Sequence, residues 1–224
     1  MELTIKTLSL NGRPLKIFHP VNDDTIFGTI NCLQSNRFHL QDIVFKDGDV
    51  VVDIGCNVGL VSLVAAALYP QIRVYAFDAS AVSIAALRHA AAANQLPNIQ
   101  AFQVAVGAND ARDVQFFSNG KDVSCLVEAG LNSSNPVLDS TVNKISIDTI
   151  FDSPLLGINR VAYLKMDIEG GEFEIFKRLF AHRMDILNRI DLLHMEIHPY
   201  PQYNPEQLRT DLQNHFGSRV FFDT

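Results

Sequence analysis

The chain has 224 residues, a hydrophobic content of 47% and a formal net charge of −7. That length is enough to bury one sizeable core, and that composition excludes an intrinsically disordered protein. The acidic balance and the lack of any dense Lys/Arg cluster speak against nucleic acid as a partner.

Cys32, Cys56 and Cys125 lie far apart. Their spacing makes neither a disulfide framework nor a zinc site, and points to reduced thiols in a cytoplasmic protein. Met1 to Leu10 alternates and carries Glu2 and Lys6, so it lacks the apolar run of a signal peptide. No stretch is long enough to predict a membrane span.

Residues 1–48 read as an N-terminal extension of strand and helix. Thr4 to Leu8 alternates, Asn11-Gly12 is a turn signal and Leu15 to Phe18 follows, which predicts a hairpin. Residues 22–45 are mixed, with a helix leading into the core. From Val50 an α/β pattern begins and runs through residues 49–224.

Val50 to Ile54 is apolar but for Asp53, as a strand buried on both faces requires. Leu60, Leu63, Val64, Ala67 and Leu68 repeat at helical spacing, and Tyr69-Pro70 stops that helix. Arg73 to Phe77 is a second strand. Ser80 caps a helix running to Asn94, and Ile99 to Val106 is a third strand. Residues 107–147 are rich in Asn, Ser, Asp and Gly and predict a loop covering the carboxyl edge of the sheet. Val161 to Met166 is a fourth strand, Glu172 to His182 a helix and Leu192 to Ile197 a fifth strand. Asn204-Pro205-Glu206-Gln207 opens a helix through Phe216. Arg219 to Phe222 is a last short strand. Strands alternating with helices mean a mostly parallel sheet covered on both faces.

Ligands of such sheets sit beyond the carboxyl ends of the strands. The loop there is Asp53-Ile54-Gly55-Cys56-Asn57-Val58-Gly59. Gly55 permits a tight turn and close approach of a ligand, and Gly59 lets the next helix start close to the sheet. The nicotinamide fingerprint needs three glycines, and only two are present. Asp53 repels a pyrophosphate but attracts the ammonium and sulfonium of S-adenosylmethionine. Asp78 ends the second strand, where an acid accepts hydrogen bonds from ribose hydroxyls. The residues assigned to this donor are Asp53, Gly55, Asn57, Gly59, Asp78, Ala79 and Ala105. An ordinary strand-to-helix turn is the plain alternative.

The run Val51 to Gly59, then Tyr75-Ala76-Phe77-Asp78, Leu164-Lys165-Met166-Asp167-Ile168-Glu169-Gly170-Gly171-Glu172 and Glu196-Ile197-His198 resembles the FkbM family of methyltransferases. Ser124-Cys125-Leu126 and Ile145 to Ile150 resemble that family's intervening segments. The similarity covers roughly residues 40–200. It implies a Rossmann-like class I methyltransferase that acts mostly on hydroxyl oxygens of sugars, lipids or natural products. Asp78 stands where the family more often has Glu, and Gly171 where Ala is common. The family's closing antiparallel strand is expected to be short, missing or supplied by another chain, which leaves a homo-oligomer open.

A hydroxyl acceptor must lose its proton during transfer. Lys165 and Asp167, two apart on a strand, point to one side near its carboxyl end. Glu169 follows, and Glu196 and His198 repeat the arrangement on the next strand. His198 has the intrinsic pKa of a base near neutral pH. Asp167 is a second base, an orienting group for His198 or a metal ligand, and Lys165 neutralises carboxylates. Asp167, Glu169, Glu196 and His198 also compose an oxygen-rich set for a divalent metal, which spacing alone does not favour. The plain alternatives are that Asp167 and Glu172 cap a helix and that His198 bonds backbone at a strand end.

The expected acceptor is a small molecule or glycan. Enzymes that methylate amines of nucleic acid or protein often carry an Asn/Asp-Pro-Pro-aromatic motif where this chain has Asp167-Ile168-Glu169. A nicotinamide- or flavin-dependent oxidoreductase and a catalytically silent binding module are the competing readings. Tyr200 and Tyr203 either stack on an acceptor ring or pack the loop.

Overall fold

The computed structural model describes residues 2–21, 25–118, 124–126 and 137–223. They form two compact units, Met1–Gln103 and Val104–Thr224.

The first unit opens with the predicted hairpin. Strands β1 (Leu3–Leu10) and β2 (Arg13–Pro20) pair antiparallel. Asn11 (φ 49°) and Gly12 (φ 77°) turn between them, the two left-handed residues that suit a tight hairpin. The mixed stretch that follows contains helix α1 (Thr25–Gln34). Next come β3 (Val50–Ile54), α2 (Leu60–Leu68), β4 (Arg73–Asp78), α3 (Ala81–Ala93) and β5 (Ile99–Gln103). All five β3 residues are buried, as their apolar run requires. The pairs β3–β4 and β4–β5 are parallel. Ser80 caps α3 by accepting from Ser83 N–H. The Asn94 side chain at the far end of α3 brackets the hairpin: it accepts from Lys16 N–H at 2.9 Å and donates to Lys16 C=O at 2.6 Å.

The second unit departs from the sequence expectation at its start. The strand expected over Ile99 to Val106 breaks at Val104. Strand β5 ends at Gln103, and β6 (Ala105–Gly107) belongs to a different sheet. Residues 107–147, expected as a loop, carry β7 (Ala111–Ser118), β8 (Ser124–Leu126) and β9 (Val137–Ser146). These strands make a four-stranded sheet ordered β6-β9-β7-β8. Phe116 and Val142 are buried, so apolar burial supports the strands in spite of their polar composition. The register shifts twice along β7–β9, which blurs the alternation that would have revealed it. Most of the Asn/Ser/Gly-rich stretch behind the loop reading lies outside the described residues.

Helix α4 (Ile147–Asp152) follows, capped by Ser146. Then come β10 (Tyr163–Met166), α5 (Glu172–His182), α6 (Met184–Leu187), β11 (Leu193–Met195), α7 (Pro205–Phe216) and β12 (Val220–Phe222). The pairs β10–β11 and β11–β12 are parallel, with Met166 opposite Met195 and Met195 opposite Phe222. Arg183 bonds Asp152 at 2.9 Å, tying the end of α5 to α4. The central sheet has six strands in the order β12-β11-β10-β3-β4-β5, the mostly parallel architecture that the alternation predicts.

Candidate active site

The glycine loop of the first unit closes onto the end of β4. Gly55 and Cys56 both donate their N–H to Phe77 C=O, at 2.9 and 3.1 Å. Gly55 (φ 71°), Asn57 (φ 50°) and Gly59 (φ 76°) are all left-handed, which gives the loop its tight turns. A Cβ on Gly59 would sit 2.3 Å from Leu87 Cδ1, so the glycine lets α2 begin against α3. Asp78 is half-buried, and its carboxylate fixes the loop from the side. Oδ2 accepts from Asn57 N–H and Oδ1 from Ser80 N–H, both at 2.8 Å.

Asp53 is fully buried, and its Oδ2 accepts from Ser62 Oγ at 2.6 Å, locking the strand end to α2. The carboxylate that the sequence assigns to the donor is therefore enclosed in the fold and not on the surface. Ala79 is buried beside Asp78. Ala105 lies in β6, in the second unit's smaller sheet, and not on a continuation of the third strand.

In the second unit, β10 and β11 deliver the ionisable side chains to one edge. Asp167 follows β10 directly, and Glu196 follows β11 with its N–H on Met166 C=O. His198 lies at the focus. Its Nε2 is 3.3 Å from Glu169 Oε2, 3.7 Å from Glu196 Oε1 and 3.8 Å from Asp167 Oδ1. Lys165 Nζ donates to Asp167 Oδ2 at 3.2 Å from the other side. The five groups predicted to meet do meet.

A sixth group organises them. Glu172, the first residue of α5, is fully buried. Its Oε2 accepts from Gly170 N–H at 2.8 Å. Its Oε1 accepts from His198 N–H at 2.8 Å and lies 3.3 Å from His198 Nδ1. A carboxylate on Nδ1 fixes the ring orientation and directs Nε2 at the other acids. In the sequence Glu172 stands as a helix-capping candidate and as the last residue of the run that resembles the FkbM family, with no catalytic role assigned to it. Its place at the end of the Lys165-to-Glu172 run was the available signal.

Four carboxylates face two cationic side chains here, and proton affinities move accordingly. Burial pulls the His198 value down. The hydrogen bond that His198 donates to Glu172 and the charges of Glu169, Glu172 and Asp167 outweigh that and raise it to about 9. Burial raises Glu169 to about 7, with His198 opposing and Asp167 and Glu196 assisting. Burial, then the Asp167 charge, raises Glu196. The sequence expectation of a neutral His198 base rests on the ordinary histidine pKa, whereas the carboxylates around the ring raise it to about 9.

Comparison with known proteins places the chain. Residues 53–219 match the methyltransferase FkbM domain. The chain belongs to the FkbM family. Its FkbM domain spans both the glycine loop and the ionisable cluster. Among curated proteins, the chain is similar to Methyltransferase 1 of Beauveria bassiana (strain ARSEF 2860), 24% identical over 160 residues, covering 65% of this chain and 64% of that protein. It is also 24% identical to Methyltransferase sdnD of Sordaria araneosa over 181 residues, covering 68% of this chain and 69% of that protein. The aligned region thus spans about two thirds of each relative. Among solved structures, the FkbM methyltransferase of Methylobacillus flagellatus KT aligns with 18% identity and a TM-score of 0.38, covering 63% of this chain and 32% of that one.

Within this FkbM chain, Asp167, Glu169 and His198 present ligand atoms that all lie within 4.8 Å of one another, a set with the composition for a divalent cation. Glu196, also named from sequence, stands outside that triad. Tyr200 and Tyr203 take the packing role. Tyr203 stacks on Phe173 with centroids 4.4 Å apart, and the Tyr200 hydroxyl donates to Glu169 C=O at 2.6 Å. No described helix is long and apolar enough to cross a membrane.

Proposed function

We propose that this FkbM chain is a cytoplasmic S-adenosylmethionine-dependent methyltransferase that methylates a hydroxyl oxygen of a small molecule or glycan. The Glu169–His198 pair carries the reading: a carboxylate raised to about 7 beside an imidazolium is a proton acceptor suited to a hydroxyl nucleophile. Gly55, Asn57, Gly59, Asp78 and Ala79 hold the donor in this account, and Asp53 fixes the strand end beneath them. Bound there, S-adenosylmethionine supplies an electrophilic methyl on a sulfonium. Glu169 would take the proton of the acceptor hydroxyl when that oxygen receives the methyl group, the donor's sulfur leaving as a neutral thioether. The imidazolium of His198 steadies the Glu169 carboxylate before transfer, and Lys165 does the same for Asp167. Half-buried Asp167 and Glu196 would disfavour phosphate-bearing acceptors by charge, which supports neutral sugars, lipids or natural products.

The test is incubation with radiolabelled donor and a panel of neutral hydroxylated acceptors, in parallel with EDTA and with added Mg²⁺. The reading expects a labelled methyl ether and activity that survives EDTA. Label on nitrogen or carbon would contradict hydroxyl specificity. Loss with EDTA and return with Mg²⁺ would assign Asp167, Glu169 and His198 to a metal instead.

Donor placement has its own test. Asp78→Ala is expected to weaken S-adenosylmethionine binding by roughly 1–3 kcal/mol, because ribose hydroxyls and the Asn57 N–H lose their acceptor. Isothermal titration calorimetry reads it directly. Equal affinity in the variant would remove Asp78 from the donor site.

A further inference from the structure

The segment after β11 touches Glu169 twice. His198 meets its side-chain carboxylate at 3.3 Å. Tyr200, two residues further on, donates its hydroxyl to the Glu169 carbonyl at 2.6 Å. Glu169 needs such support. Its φ of 57° is left-handed, a conformation that a non-glycine residue keeps only where its surroundings fix it. Gly170 continues the turn at φ 105°, and a Cβ there would lie 2.2 Å from Tyr200 Cε2, so the aromatic ring occupies the space beside the turn. Tyr200 is itself buried and has little room to move. Its carbonyl accepts from Tyr203 N–H at 3.0 Å, and the Tyr203 ring stacks on Phe173 of α5. The short segment is therefore anchored on α5 and holds Glu169 by backbone and side chain together.

We propose that Tyr200 is a positioning residue whose hydroxyl sets the Glu169 carboxylate against His198. This rests on the reading of Glu169 as proton acceptor, but the placement itself is measurable without it. A misplaced acceptor costs rate steeply without changing any residue of the donor loop. Glu172 holds the same turn through Gly170 N–H, so loss of the Tyr200 hydroxyl loosens Glu169 without dismantling the loop.

The test compares wild type with Tyr200→Phe, which keeps the ring and removes one hydroxyl. With an acceptor from the panel, kcat is expected to fall roughly 10–100-fold while the KM for S-adenosylmethionine changes less than about twofold. In parallel, NMR of both proteins without ligand reads the Glu169 HN–Hα coupling and the His198 ring signals, which are expected to shift in the variant. Wild-type kcat in Tyr200→Phe would overturn the proposal. So would a fall in kcat matched by equal losses of melting temperature and donor binding, which is the mark of general destabilisation. If the wild type methylates nothing on the panel, the functional reading fails and NMR decides the placement alone. Unchanged Glu169 and His198 signals would then refute it, and shifted signals with the remaining spectrum intact would uphold it.

Discussion

Glu169→Gln is expected to slow methyl transfer by roughly 10²–10⁴-fold, the range that a positioned proton acceptor contributes. The amide keeps the size of the side chain and its reach toward His198, so the change isolates the lost ability to take a proton. Donor affinity is expected to stay within about twofold, since the residues assigned to the donor lie at 53–79 and are untouched. Calorimetry and single-turnover rates separate the two effects. A Glu169→Gln enzyme that transfers at the wild-type rate would move the proton acceptor elsewhere, with Asp167 and Glu196 as the remaining acids beside Nε2.

The largest expected effect on stability comes from Glu172→Ala. One fully buried carboxylate serves Gly170 N–H, His198 N–H and His198 Nδ1. Its loss leaves two backbone donors and a charged ring without their acceptor, which should cost about 3–5 kcal/mol, the scale for removing one partner of a buried pair. A residue that only capped α5 would cost roughly 0.5–2 kcal/mol. Urea denaturation distinguishes these values. A loss near 1 kcal/mol would return Glu172 to the ordinary capping role. The Glu172→Ala protein should also be slow at every pH, because His198 loses the contact that orients its ring.

Legibility followed local signals. Helix α7 begins where the sequence places it, because Asn204-Pro205 is a clear start, and α5 covers the expected Glu172–His182 span. Strand β3 was equally plain, since an apolar run in this setting has few other uses. The split at Val104 was hidden: the residues on both sides favour strand, and only pairing reveals that β5 and β6 join different sheets. The second sheet was masked by its polar composition and by its two register shifts. Among site residues, Lys165, Asp167, Glu169, Glu196 and His198 could be placed together by strand spacing alone. Their proton affinities could not, because His198 is governed by Glu172, 26 positions away in sequence. Tyr200 was likewise visible as an aromatic in a loop, while its partner, the Glu169 carbonyl, is a backbone atom that no sequence pattern marks.

The pH dependence of the single-turnover rate at saturating donor distinguishes directly which group takes the proton. Glu169 acts as carboxylate, so the rate should rise with pH through about 7 as it deprotonates. His198 acts as imidazolium, so the rate should fall again through about 9 as the ring loses its charge. The predicted profile is a bell between those values, with the rising limb abolished in Glu169→Gln. A single rise centred near the ordinary histidine value of about 6.5, with no fall at higher pH, would contradict it and make the neutral imidazole the base.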